Sequence, residues 1–113
     1  MNIQIFGKNK CFDTKKAQRW FKERGIRFQY ISLEQKGLSK GEYNSVKQAV
    51  GGFDELVDKG SKLYESCFIA YLASEEAKEE KLFENPLLYK TPIVRNGRQA
   101  TVGYQPDVWK SWE

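Results

Sequence analysis

The sequence has no histidine and only two cysteines, three prolines and one methionine. Without histidine, the commonest zinc ligand and the commonest general acid–base group at neutral pH are missing, which excludes imidazole-built metal sites and Ser-His or Cys-His dyads. Two cysteines in 113 residues are too few for a disulfide-stapled scaffold. No apolar run approaches the roughly 18 residues needed to cross a bilayer. The opening Met1-Asn2-Ile3-Gln4-Ile5-Phe6 shows no basic segment leading into a long apolar stretch, so no secretory leader is expected. The chain reads as a cytoplasmic domain with no membrane segment and no metal.

What is present is a core-forming composition. The chain is 40% hydrophobic and 14% aromatic, enough to bury a core and to argue against disorder. Its 113 residues are close to the usual size of one domain, and no linker, repeat or low-complexity stretch divides them, so residues 1–113 are expected to form a single domain. Nineteen basic residues outnumber fifteen acidic ones, for a net charge of +4. The two signs alternate along the whole chain, and the longest basic runs are pairs such as Lys15-Lys16. Phosphate neutralisation needs a concentrated basic face, so direct nucleic-acid binding is not expected and a solvated surface is.

The order of elements follows from periodicity and punctuation. Ile3 to Phe6 reads as a short buried strand. Thr14 to Arg24 carries Ala17, Trp20 and Phe21 on one helical face, and Gly25 supplies a stop. Phe28 and Tyr30 alternate with Gln29 and Ile31 as a second strand, whose helical crossover makes it parallel to the first. Ser39 and Glu42 form a capping box for a helix ending near Val50, where Gly51-Gly52 breaks it. Phe53 to Val57 gives another turn or two, Leu63 to Ala73 is expected as a helix, and Ser74 caps Glu75 to Phe83. The period then changes. Pro92-Ile93-Val94 is a strand, Asn96-Gly97 a hairpin turn, Ala100 to Val102 the returning strand, and Pro106 opens a final helix with Val108, Trp109 and Trp112. The result is an α/β fold: a mixed four-stranded sheet with Ile3–Phe6 beside Pro92–Val94, a helical insertion, and helices on both faces.

Cys11 combines reactive chemistry with a suitable place. It follows the first strand by one loop and precedes the first helix, whose unpaired N–H groups and positive dipole end favour a thiolate. Lys10, Lys15 and Lys16 add to that field, while Asp13 opposes it unless it serves as a cap. The alternative is an inert cysteine buried at a strand-to-helix turn, and Asp13 and Thr14 also read as helix-capping residues alone. The polar surroundings of Cys11 favour the reactive reading. Position 14 is Thr, so there is no Cys-x-x-Cys dithiol, and a resolving thiol must come from Cys67, a small thiol or another protein. Cys67, between Ser66 and Phe68 on an apolar face, reads as a small core hydrophobe. Thr91-Pro92, directly ahead of a strand, is a candidate cis bond, the alternative being a trans proline that starts an edge strand.

Three segments together resemble the arsenate reductase (ArsC)/Spx family: Cys11-Phe12-Asp13-Thr14-Lys15-Lys16-Ala17-Gln18-Arg19-Trp20, Thr91-Pro92-Ile93-Val94, and Val102-Gly103-Tyr104-Gln105-Pro106-Asp107. The resemblance implies a thioredoxin-like fold with an inserted helical region, a single redox cysteine at Cys11 and a cis-proline at Pro92 facing it. It places Thr14, Lys59, Lys90, Thr91 and Pro92 around the substrate. In the arsenate reductases three arginines hold the oxyanion, and their positions correspond here to Asp58, Thr91 and Tyr104. Lys59 and Lys90 lie next to two of these but lack the bidentate guanidinium fork, so efficient arsenate reduction is not expected. Two other branches are nearer. The YffB-like branch shares the Cys-Asp-Thr-x-Lys-Lys-Ala pattern, with Phe12 inserted here, and implies a thiol reductase that uses glutathione, another low-molecular-weight thiol or a glutaredoxin-type reductant as co-substrate, with no bound cofactor. The Spx-like branch implies a regulator that touches the α subunit of RNA polymerase around a glycine matched by Gly52. Ser61-Lys62 and Val102-Gly103-Tyr104 are similar to Spx as well, although the Cys-x-x-Cys and longer tail usual in Spx are absent. Gly51-Gly52 also reads simply as a helix break.

Overall fold

A computed structural model describes residues 1–112. Four strands, β1 (Ile3–Gly7), β2 (Phe28–Ser32), β3 (Ile93–Asn96) and β4 (Gln99–Val102), form one sheet in the order β2-β1-β3-β4. The helices are α1 (Phe12–Glu23), α2 (Lys40–Val50), α3 (Lys62–Ser66), α4 (Glu75–Glu84) and α5 (Pro106–Lys110). The α1 crossover makes β1 and β2 parallel, with Ile3 opposite Phe28, while β1–β3 and β3–β4 are antiparallel. This is the expected mixed sheet.

Alternation along each strand sends successive side chains to opposite faces, and both faces are covered. Ile3, Ile5 and Val94 pack with Ala17, Trp20 and Phe21 of α1 and Trp109 of α5. Phe6, Ile31 and Ile93 pack on the other side with Tyr43 and Val46 of α2 and with Leu56, Ile69, Leu82 and Leu88 of the insertion. Two-sided burial explains β2, where Ile31 is buried and Phe28 and Tyr30 are half-buried against the α1 side. Within the described residues no helix is long and apolar enough to cross a membrane.

Local signals hold at most junctions. The Ser39 hydroxyl accepts from the Glu42 N–H while the Glu42 carboxylate accepts from the Ser39 N–H, closing the capping box. Gly51, at φ 104°, ends α2 in the left-handed conformation that glycine adopts without strain. Ser74 caps α4 by accepting from the Ala77 N–H.

Three expectations are corrected. The run from Leu63 to Ala73 is not one helix: α3 ends at Ser66, Phe68 takes a left-handed conformation (φ 55°), and a 3₁₀ turn follows at Ile69–Tyr71. The break turns Ile69 into the core and leaves Phe68 and Tyr71 exposed, an outcome that helical spacing of apolar residues cannot foresee. The hairpin register is shifted by one. Asn96 pairs with Gln99, so the two loop residues are Gly97, at φ 61°, and Arg98. Finally, α1 begins at Phe12, making Cys11 its N-cap residue. Phe12 and Asp13 are exposed, so the apolar periodicity that locates a helix is silent there. Neither Asp13 nor Thr14 is the cap.

Candidate active site

Strand β1 ends at Gly7, and the chain turns through Lys8–Lys10 so that the Cys11 N–H donates to the Lys8 carbonyl at 3.2 Å. Cys11 is extended (φ −88°, ψ 118°), and its carbonyl accepts the Lys15 N–H at 3.2 Å. Its side chain therefore stands at the opening of α1, half-buried. The thiol donates to the Thr91 carbonyl at 3.7 Å. Pro92 follows in a cis bond and is buried.

Burial by itself would raise the Cys11 thiol pKa. That effect is overcome by polar groups close to the sulfur that favour the thiolate, the Thr14 and Thr91 side chains and the Thr14 and Asp13 backbone N–H groups, so the pKa lies below the ordinary thiol value. The Thr14 hydroxyl is buried and makes no hydrogen bond of standard geometry among the described residues, which leaves its proton available to a thiolate. Thr14 does not line the cleft. It packs beneath it against Gly7, where a Cβ would collide with its methyl group. Glycine is required there by close approach.

An isolated antiparallel bridge, Val57 to Tyr89, completes the site. The Asp58 N–H donates to the Leu88 carbonyl and the Lys90 N–H to the Leu56 carbonyl, each at 2.7 Å. This brace sets Asp58 and Lys90 beside Thr91. A cleft of about 490 Å³ results, lined by Cys11, Thr91, Lys90 and Asp58, with Lys8, Glu55, Val102 and Gly103 completing its walls. A volume of this size suits a small ligand. Burial pushes the Lys8 ammonium pKa down, and Asp58, Cys11 and Glu34 oppose that shift.

Of the residues singled out from the sequence, Cys11, Lys90 and Thr91 meet in the cleft, with Pro92 buried directly after Thr91. Lys59 does not line it, and its ammonium pairs with Asp54 at 3.1 Å. No local sequence pattern marks Lys8 or Glu55 as cleft residues, since each reaches the cleft through the tertiary fold. Tyr104 lies edge-on to Trp109 with ring centroids 5.5 Å apart, and the Lys16 ammonium sits 5.8 Å from the Tyr104 centroid. Gly52, at φ 136°, opens the Phe53–Glu55 turn, whose last residue reaches the cleft wall. Cys67 caps the end of α3 and packs against the larger core, and both cysteines are free. Among the described residues no cluster of three or more acidic or cysteine side chains is placed to hold a metal.

Residues 6–112 match the family model of the ArsC family. The chain belongs to the ArsC family. Over 112 residues it is 30% identical to Global transcriptional regulator Spx 2 of Oceanobacillus iheyensis, covering 95% of this chain and 80% of that protein. The solved arsenate reductase from Vibrio cholerae superposes with a TM-score of 0.86 at 23% identity, covering 98% of this chain and 97% of that one. The glutaredoxin-like NrdH-redoxin of Escherichia coli matches with a TM-score of 0.51 at 16% identity, covering 100% of this chain and 96% of that one. At these identities the two structures establish the fold, which is thioredoxin-like with the helical insertion of the ArsC family.

Proposed function

We propose that this ArsC-family protein is a cytoplasmic thiol–disulfide oxidoreductase in which Cys11 is the single redox cysteine. The observation that supports this best is the half-exposed Cys11 sulfur at the head of α1, with donors converging on it and a lowered pKa. The Cys11 thiolate attacks one sulfur of a disulfide. A protein–substrate S–S bond forms, the substrate S–S bond breaks, and the released thiolate takes a proton from water. A low-molecular-weight thiol such as glutathione, or a glutaredoxin-type reductant, then attacks the mixed disulfide at the substrate sulfur. Cys11 is regenerated, and the two external sulfurs end in a new disulfide. Thr14 stabilises the thiolate from below, Thr91, ahead of the cis Pro92, forms the wall beside it, and Lys90 supplies positive charge in the cleft.

The test is turnover of bis(2-hydroxyethyl) disulfide with glutathione, alongside the pH profile of iodoacetamide alkylation. Wild-type and Cys67→Ser proteins should turn over equally and Cys11→Ser not at all, with the alkylation midpoint below that of an ordinary thiol. Slow alkylation of Cys11 with an unshifted midpoint would overturn the proposal.

The likeness to Spx 2 supports a second reading, a regulator that touches the α subunit of RNA polymerase through the surface around Gly52. The turn there presents Asp54 and Glu55 to solvent. In this reading Asp54→Lys abolishes capture of the isolated α subunit while leaving Cys11 alkylation unchanged.

A further inference from the structure

The charges around the Cys11 sulfur bear on which disulfides it accepts. Two carboxylates, Glu55 and Asp58, and two ammonium groups, Lys8 and Lys90, share one cleft with the thiol. Among the described residues none of these four side chains is in an ion pair, whereas neighbouring Asp54 and Lys59 pair with each other. Lys8 is half-buried and already faces Asp58, Cys11 and Glu34, so its charge is largely matched by the protein's own anions. Counted together, the cleft holds Glu55, Asp58 and the Cys11 thiolate against Lys8 and Lys90. With Cys11 ionised, the cleft carries an excess of negative charge. A second anion approaching the sulfur is disfavoured, and a cation is drawn in.

We propose that the Cys11 cleft selects small disulfides carrying an ammonium group beside the sulfur, aminothiol disulfides, over those carrying a carboxylate there. Glu55 and Asp58 set this specificity by receiving the ammonium, and Lys90 tolerates a carboxylate farther along the same molecule, as in an amino-acid disulfide. The inference rests on the reading of Cys11 as a thiol–disulfide nucleophile, and the chemistry is the balanced exchange given above. Asp58, set at the cleft by the Val57–Tyr89 bridge, is the acid that makes it cation-accepting.

Three probes of similar size separate the possibilities: bis(2-aminoethyl), bis(2-hydroxyethyl) and bis(2-carboxyethyl) disulfide. Each rate with Cys11 is divided by the rate of the same disulfide with free 2-mercaptoethanol, which removes differences in leaving group. In the wild-type protein the normalised cation-to-anion ratio should be on the order of tenfold, the scale set by one or two unit charges at a partly solvated site. In Glu55→Gln/Asp58→Asn, where Lys8 and Lys90 outnumber the remaining thiolate, it should fall to one or below, the ratio being read within each protein. Loss of the neutral rate in that variant would signal misfolding. Glu55→Gln alone, on an exposed turn, then decides the matter by lowering the ratio about threefold. A wild-type ratio near one, or favouring the anion, while the neutral disulfide is attacked briskly overturns the specificity and leaves the oxidoreductase reading standing. No reaction with any of the three overturns both.

Discussion

Thr14 is a residue whose role depends on what it touches. Its hydroxyl is buried beneath Cys11 and contributes to holding the thiol pKa down, after burial has pushed it up. Thr14→Val keeps the shape packed against Gly7 and removes the donor. The alkylation midpoint of Cys11 should then move upward toward the ordinary thiol value, so that at neutral pH the variant reacts more slowly and at high pH equally fast. A midpoint that does not move would mean that backbone N–H groups alone stabilise the thiolate. The positions occupied by Asp58, Thr91 and Tyr104 lead to a second expectation. Each donor lost from an oxyanion site of this kind costs about 3 kcal/mol, roughly a hundredfold in rate. Arsenate turnover with glutathione and glutaredoxin should therefore be weak or undetectable, all the more because Asp58 and Glu55 bring negative charge to the cleft. Turnover at the rate of a dedicated reductase, abolished by Cys11→Ser, would show that Lys8 and Lys90 substitute for guanidinium groups.

Between elements, the insertion is tied to α2 by a small polar cluster. The Tyr43 hydroxyl donates to the Glu79 carboxylate at 2.6 Å, and the Lys47 ammonium approaches the same oxygen at 2.7 Å. Partial burial would raise the Glu79 pKa, but hydrogen bonds from Lys47 and Tyr43 outweigh it and hold the carboxyl below its usual range. A carboxyl whose pKa is depressed by folding stabilises the fold above its unfolded pKa and loses that contribution as pH falls through the folded value. Glu79→Gln should cost about 1 kcal/mol near pH 7, discounted for the partial exposure of the site. The difference from wild type should shrink as the pH drops below the usual glutamate range. Urea melts of both proteins at a series of pH values check the size and the trend. At the junction of β1 and α1, Gly7→Ala forces Thr14 aside. Overpacking of this sort costs about 1–3 kcal/mol, measurable in the same melts, and the displaced hydroxyl should raise the Cys11 midpoint as well.

The whole molecule is a sheet with a core on each face, and α5 closes the face opposite the insertion. Trp109 is buried against Trp20 and Phe21, with ring centroids 5.4 and 5.1 Å away. Its indole N–H donates to the Thr101 hydroxyl at 2.8 Å, linking α5 to β4. Trp109→Phe removes area and leaves the Thr101 hydroxyl buried without its donor, for an expected loss of about 2–4 kcal/mol. Adding Thr101→Val should recover part of that loss. Equilibrium denaturation of the single and double variants measures the coupling directly, and simple additivity would mean that the hydrogen bond contributes nothing beyond packing.

What the sequence determined by itself is whatever nearby residues decide among themselves. The strand–helix–strand start, the Ser39 and Ser74 caps, the Gly51 stop and the placing of Cys11 between β1 and α1 depend on contacts within a few residues, and all were legible. The ArsC-like motifs were legible for the same reason. Tertiary structure decided the rest. The Val57–Tyr89 bridge gathers Glu55, Asp58, Lys90 and Cys11 from distant stretches of chain into one cleft, and the burial of Ile69 breaks the Leu63–Ala73 run. Such outcomes are set by which surfaces the core must cover and which backbone groups must find partners across the sheet. Charge in a cleft is a property of space rather than of spacing. That is why the Cys11 and Thr91-Pro92 motifs could be read from the sequence while the acid–lysine balance around Cys11 could not.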